Sequence, residues 1–517
     1  MPSRPAFPVA SRPAPRRPRV GLAAALALGC LTGTGRAAAA QSHAAAAAPG
    51  VSAAAAAAAR AFVAGVGGAD SAARARALAA HLTPAALAER GDDIARLFAR
   101  VHTQGGPLTV VRLEPAGRNT FATVRSGRRP RLLLLDLAWD EADTTRLRHV
   151  DLLKAWDPAA DSIAWPRRAP ATDAALGALL DRNVGRLAAI GAFSGTVLVA
   201  RGERVVYARG FGLAERDHAV PNGVDTRYTT ASMGKMFTAV AVAQLVEAGR
   251  LRLDDTLARV LPDYPNAERA GRITIRHLLA HTAGLGDVWS HPAFVRGRGY
   301  ASNRQLAWAV ADAPLAFAPG TRWAYSNEGY VVLGAVVERL AGTSFEGYLR
   351  RHVWGPAGMT ATANVGADAV VPHRAVGYTA GDDDPLRVEV PRPNWPFIGA
   401  TSAASGAGGT YATAGDYLRF ARALRRGALV RPATRDTLWA ARNPLPWDAA
   451  TAYGYGFERA TVDGRAVVGH GGGGGMGIDN QLAFAADGAF TVVVLGNADP
   501  PAATALKAAL VRMLAAR

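Results

Sequence analysis

The sequence predicts an α/β protein of the α+β kind, built as two folded units, on three observations. Helical patterns and then four strand-like runs occupy the first third, strand patterns stand at both ends of the rest, and helical patterns fill the interval between them. At 517 residues the chain exceeds one ordinary domain, for which roughly 100–200 residues suffice. Its 50% hydrophobic and 19% charged residues match a globular chain and exclude a disordered or fibrous one.

The elements follow in order. Within residues 1–40, Arg12, Arg16, Arg17 and Arg19 precede an apolar run from Val20 to Cys30, and small residues continue to Ala37-Ala38-Ala39-Ala40. A basic region, a short apolar region and an Ala-x-Ala end form the pattern of a signal peptide cleaved near Ala40, which predicts an exported protein, periplasmic or secreted. The apolar run falls short of the roughly 20 residues that span a bilayer, and no other stretch reads as transmembrane. Two variants stay open: Arg16-Arg17 as a twin-arginine signal, and Cys30 as a lipid-attachment site. Residues 41–59, nearly all alanine, read as a flexible leader.

Residues 60–156 read as a small α+β domain. Helical patterns run from Arg60 to Val101, and strand-like runs follow at Leu108–Leu113, Thr120–Val124, Leu132–Leu137 and Leu147–Leu152. Turn signals at Pro115-Ala116-Gly117, Ser126-Gly127 and Asp140-Glu141 separate them, as in an antiparallel meander. The element order looks like that of NTF2-like or cystatin-like accessory domains. Residues 157–173, with Pro158, Pro166 and Pro170, read as a linker. Residues 174–517 hold a helix at Ala174–Ile190, a strand pair at Gly195–Ala200 and Arg204–Gly210, a long helical region, strands at Ala483–Ala485 and Thr491–Leu495, and a last helix from Ala502. Strands this far apart in sequence predict one sheet assembled from distant pieces.

The net charge is +18, yet the only lysines are Lys154, Lys235 and Lys507. The arginines are scattered and no basic motif is interleaved with aromatics, so the charge predicts a solvated surface with loose attraction to anionic envelope polymers, and no nucleic acid partner. Cys30 is the only cysteine, so the chain beyond it has no disulfide, thiol nucleophile or cysteine-bound metal.

One short segment stands out chemically. In Thr229-Thr230-Ala231-Ser232-Met233-Gly234-Lys235-Met236-Phe237, Ser232 opens a helix whose buried face is Met236, Phe237, Val240, Leu245 and Val246, and Lys235 follows at i+3 on the same face. A serine hydroxyl needs a neighbouring base, and a desolvated lysine whose pKa falls from ~10.4 toward neutrality can serve; arginine cannot, because it does not deprotonate. The helix start adds amide donors where an oxyanion would form. Two further features lie downstream: Tyr325-Ser326-Asn327 just before an apolar helix Val331–Leu340, and a strand Arg465–Val468 entering Gly469-His470-Gly471-Gly472-Gly473-Gly474-Gly475-Met476-Gly477.

Ser-x-x-Lys, Tyr-x-Asn and a basic residue followed by x-Gly on a strand, in that order, resemble the motif set of the penicillin-recognising serine hydrolases. The resemblance covers about residues 175–517 and is to the branch of class C β-lactamases, D-alanyl-D-alanine carboxypeptidases, D-aminopeptidases and β-lactamase-like esterases. Ile273–Leu285, Ser405-Gly406-Ala407-Gly408-Gly409 with Asp416, and Tyr453-Gly454-Tyr455-Gly456 also fit it. It implies a β-lactamase/transpeptidase-like fold: an antiparallel sheet with flanking helices plus an all-helical subdomain, the site lying between them. By position it implies Ser232 as the acylated nucleophile, Lys235 as its activator, and Tyr325 as general base and proton shuttle with a phenol pKa lowered by nearby cations. Asn327, His470 and Gly472 would bind substrate, and the amides of Ser232 and Gly473 would form the oxyanion hole. It implies no metal and no organic cofactor.

His470-Gly471-Gly472 departs from the family pattern by lacking both the lysine and the following hydroxyl residue. A histidine near pKa ~6.5 is a weaker, pH-dependent anchor for a carboxylate, which favours a broader esterase or D-amino-acid peptidase over a true β-lactamase or penicillin-binding carboxypeptidase. The substrate class is then a small molecule or a peptidoglycan-like peptide or ester. The rival of another class is a non-catalytic protein that senses peptidoglycan fragments. Three other patterns are set aside. Gly472–Gly477 matches G-x-G-x-x-G, but a strand rather than a helix follows. His470-Gly471-Gly472-Gly473 mimics a lipase oxyanion loop, but no G-x-S-x-G elbow exists. His277 and His281 at i,i+4 lack the glutamate of H-E-x-x-H, so packing or capping is expected of them.

Overall fold

The structure is a computed structural model that describes residues 51–116, 119–127, 132–140, 142–156, 163–294, 300–364, 370–379, 392–393, 405–445, 448–474 and 476–516. The expected signal segment 1–40, with Arg16-Arg17 and Cys30, lies outside these residues, as does the leader up to Gly50.

The first unit begins earlier than expected. Helix α1 (Ala53–Val66) starts inside the alanine run, capped by the Ser52 hydroxyl, with Ala55, Ala58 and Ala59 buried beside Phe62, Val63 and Val66. Alanine has the highest helix propensity, and three apolar anchors give the run a face to bury, so residues 53–59 are helix rather than leader. α2 (Ser71–His81) is capped by Asp70, and α3 (Pro84–Gly105) by Thr83 with Pro84 in its first turn. Four strands follow as an antiparallel meander, β1 (Leu108–Ala116), β2 (Asn119–Ser126), β3 (Leu132–Trp139) and β4 (Leu147–Trp156), and each expected strand falls inside one of them. Their core includes Phe62 edge-on to Phe98 at 5.8 Å, with Leu133, Leu135 and Leu137 from β3.

From Ile163 onward the expected linker is pinned to the second unit. Ile163 and Trp165 pack in the same cluster as α4 (Asp173–Ala189), Ala169 N donates to Met513 O at 2.9 Å, and Arg201 donates to the carbonyls of Pro170 and Ala171. The strand pair is β5 (Gly195–Arg201) and β6 (Arg204–Phe211), and α5 (Lys235–Glu247) and α6 (Asn327–Ala341) lie in the helical region with α7 (Ala414–Arg425). Then come β7 (Asn443–Leu445), β8 (Asp448–Tyr453), β9 (Glu458–Val462), β10 (Arg465–Gly474), β11 (Ile478–Ala485), β12 (Phe490–Gly496) and α8 (Ala502–Ala515).

These strands form one antiparallel sheet in the order β7-β8-β9-β10-β11-β12-β5-β6, in which β12 pairs with β5 from Phe490↔Arg201 to Gly496↔Gly195. Sequence-distant strands therefore close the sheet, as expected. Its side chains alternate between two cores, as a strand period of two requires. Val197, Val199, Val492 and Val494 share a core with α4 and α8, while Leu198, Ala200, Val493 and Leu495 share the other core with α5, α6 and α7, of which α7 packs on β12 and β5. Helix α5 is buried on every side rather than on one face, because other helices surround it; Phe237 stacks on Tyr417 at 5.9 Å and meets Phe420 at 4.9 Å.

Candidate active site

Ser232 sits in a single 3-10 turn, Ala231–Gly234, and α5 begins only at Lys235. The serine therefore lies just ahead of the helix rather than as its first residue. Two backbone constraints create the turn. Ala231 has φ +43, in the left-handed region, and residues Tyr228–Thr229 pair with Tyr411–Ala412, which fixes the chain as it enters. One strand and one loop then close on the turn through glycine. At Gly472 of β10 a Cβ would stand 2.6 Å from Thr230 O and 3.0 Å from Ser232 N, and at Gly408, with φ +130, it would meet Ala231 O. Only glycine lets both segments approach the nucleophile's backbone so closely.

Lys235 is fully buried. Its Nζ donates to Ser232 Oγ at 3.1 Å, Asn327 Oδ1 at 2.7 Å and Ala407 O at 2.9 Å, and it stands 4.8 Å from the centre of the Tyr325 ring. All three acceptors are neutral, so burial dominates and pulls the ammonium down to about 7, against a smaller opposing pull from the Asp287 carboxylate. Asn327 is the first residue of α6 and bridges the two, accepting from Lys235 and donating from Nδ2 to Asp287 Oδ1 at 3.0 Å. Tyr325 projects its hydroxyl to Ser232.

Two expectations need correction. Burial pushes the Tyr325 phenol up, not down, and its hydrogen bond with Ser232 opposes that only in part, while the Glu458 and Asp287 carboxylates add to it. His470 is buried in β10, with Nδ1 donating to Gly471 O and Nε2 accepting from the Tyr453 hydroxyl at 3.0 Å. Burial lowers its pKa, with Lys235 adding to the effect and Glu458 opposing it, so it stands as a neutral ring wedged against Tyr453 rather than as a titrating cation. Gly472 and the adjacent Gly473 lie on β10 where it passes Ser232.

The structure thus brings Ser232, Lys235, Tyr325 and Asn327 into one hydrogen-bonded group with the Gly472 backbone alongside. It also adds participants the sequence did not single out. Asp287 had no motif to mark it. The Ala407 carbonyl and Gly408 lie in the Ser405–Gly409 segment and Tyr453 in another segment noted only as fitting the family, while His281, expected to pack or cap, packs against Tyr325 and Tyr453. His277 accepts from Thr274 N and so closes a capping box, and the glycine run of β10 turns directly into β11; both agree with setting those patterns aside. Among the described residues no group of three or more His, Cys, Asp or Glu could hold a metal, and no helix is long and apolar enough to cross a membrane.

Comparison with known proteins places this geometry. The β-lactamase family model matches residues 180–517. Esterase EstB of Burkholderia gladioli is 33% identical over 341 residues, 60% of this chain and 85% of that protein. PbpX of Bacillus subtilis (strain 168), named as a penicillin-binding protein, is 30% identical over 265 residues, and the chain spans 62% of its length. Among solved structures, a penicillin binding protein from Bacillus halodurans shares 30% identity with a TM-score of 0.54, covering 62% of this chain and 96% of that one. EstCE1, described as a hydrolase with promiscuous acyltransferase activity, shares 25% identity with a TM-score of 0.54, covering 69% and 99%.

Proposed function

The chain belongs to the β-lactamase family, and on that premise we propose that it is an exported serine hydrolase that cleaves esters of uncharged acyl groups through an acyl-enzyme on Ser232. The observation that carries this reading is the neutral surroundings of Lys235. A lysine titrating near 7 and bonded to Ser232 Oγ supplies a free amine at neutral pH. In the acylation step Oγ attacks the substrate carbonyl, its proton passes to Lys235, and the oxyanion forms near the amides of Ser232 and Gly473. The C–O bond to the leaving group then breaks, and the proton reaches that oxygen through the Tyr325 hydroxyl. Because burial keeps Tyr325 protonated, it relays a proton rather than standing as a phenolate. Water reverses the sequence: its oxygen bonds to the acyl carbon, the Oγ–C bond breaks, and Oγ regains a proton.

The neutral, hydrogen-bonded His470 supports an uncharged substrate over one that needs a cation to hold its carboxylate, as a β-lactam or a D-Ala-D-Ala peptide does. The likeness to a protein named an esterase points the same way. Export rests on the order of basic, apolar and small residues within 1–40.

The test is ester turnover against pH. With p-nitrophenyl butyrate, kcat/KM rises with pH through about 7 and is level above it, because the free amine is the active form. Lys235→Arg and Ser232→Ala lose turnover by about a thousandfold or more, and a fluorophosphonate labels Ser232. Labelling at another residue overturns the reading, and faster turnover of a cephalosporin or a D-Ala-D-Ala peptide overturns the substrate class.

A further inference from the structure

His281 is buried, and no step above uses it. Its backbone has φ +58, a left-handed conformation uncommon outside glycine, in which asparagine, aspartate and histidine are the more frequent exceptions. From there it holds the chain on both sides of Tyr325: its carbonyl accepts from Ala324 N at 2.9 Å, and its Nδ1 accepts from Ser326 N at 3.1 Å. Its ring lies 4.3 Å from the Tyr325 ring, with Tyr453 at 4.6 Å and Tyr330 at 4.9 Å on other sides.

Because Nδ1 accepts an amide proton, the ring's own proton belongs on Nε2, which is buried with no hydrogen-bond partner among the described residues. A phenylalanine would fill the same aromatic pocket without burying an unpaired N–H. What phenylalanine cannot do is accept from Ser326 N. The acceptor on Ser326 N is therefore what histidine supplies here and phenylalanine would not.

We propose that His281 is the positioning residue for Tyr325: the clamp on Ala324 and Ser326, closed by the Nδ1 acceptor, sets the Tyr325 hydroxyl on Ser232. The inference rests on the reading of Tyr325 as the proton relay. It separates two kinds of replacement. His281→Phe keeps the ring packing and loses the acceptor. His281→Asn loses the ring, tolerates the left-handed backbone, and places Oδ1 close to where Nδ1 stood.

Turnover of p-nitrophenyl butyrate by the full chain tests it, in wild type, His281→Phe, His281→Asn, Tyr325→Phe and His281→Phe/Tyr325→Phe, with circular dichroism reporting the fold. The expected result is that His281→Phe lowers kcat about tenfold or more with KM within about twofold, that His281→Asn recovers most of that loss, and that His281→Phe costs nothing further once Tyr325 is phenylalanine. Wild-type kcat in His281→Phe, or an undiminished penalty in the Tyr325→Phe background, overturns the inference. If His281→Phe fails to fold, His281→Asn decides alone: a folded His281→Asn that loses kcat about tenfold overturns it. Unchanged kcat in Tyr325→Phe instead overturns the relay on which it rests, so the two failures are distinct.

Discussion

At the scale of the residue, Lys235 shows how one side chain couples stability to chemistry. Burial lowers its folded pKa to about 7, whereas an unfolded lysine titrates near ~10.4. Between those values the unfolded chain binds the extra proton, so this residue makes stability rise with pH across that window, by up to about 1.4 kcal/mol per pH unit. Below about 7 both states are protonated and the dependence ends. Against Lys235→Met, which does not titrate, wild type is therefore expected to gain relative stability from pH 7 to pH 10, read as the difference in urea midpoints at each pH. A constant difference would show that the amine is charged in the fold, and would remove the basis for calling it a free base. The serine and lysine could be paired from sequence because i and i+3 share a helical face. The loss of charge could not be quantified there, because it depends on Ala407, Asn327 and Asp287, which are far away in sequence.

Elements position this group, and the start of α6 does so most directly. Its first residue, Asn327, holds Lys235, while the next, Glu328, forms a buried ion pair with Arg269, which also donates to Ala311 O at 2.7 Å and Ala313 O at 2.9 Å. Burial raises the Glu328 carboxyl, with Arg269 as the main opposing influence. Glu328→Gln would leave the guanidinium buried without its counter-charge, an arrangement that costs about 3–5 kcal/mol. The expected outcome is a urea midpoint lowered to match, with much of the loss recovered when Arg269→Met and Glu328→Leu are combined. A loss below about 1 kcal/mol in Glu328→Gln would mean the pair does not anchor the helix. Element type was legible from periodicity for α4, β5, β6, β12 and α8. It misled at Ala53–Ala59, where low-complexity alanine hides a helix that becomes visible only through the Phe62, Val63 and Val66 side chains packed below it.

On the scale of the whole molecule, the meander unit and the hydrolase-like unit have separate cores, and Ile163, Trp165 and Ala169 belong to the second. A chain beginning at Ile163 is expected to keep ester turnover within a few-fold of the full protein. A chain beginning at Ala174 lacks those contacts and is expected to melt several degrees lower, since burying an isoleucine alone contributes about 1.5–3 kcal/mol. Equal melting of the two would show that residues 163–171 add nothing. The sequence by itself determined the fold class and the order of the three motifs, because hydrophobic period and local spacing are properties of neighbouring residues. It could not determine the state of the groups those motifs bring together. His470 read alone looked like a titrating cation, and the family resemblance implied an acidified phenol at Tyr325. Only the tertiary structure, by burying both and giving His470 the Tyr453 hydroxyl and the Gly471 carbonyl, decided that the imidazole is neutral and the phenol keeps its proton. Charge state follows from desolvation and from partners distant in the chain, and neither is written in local sequence.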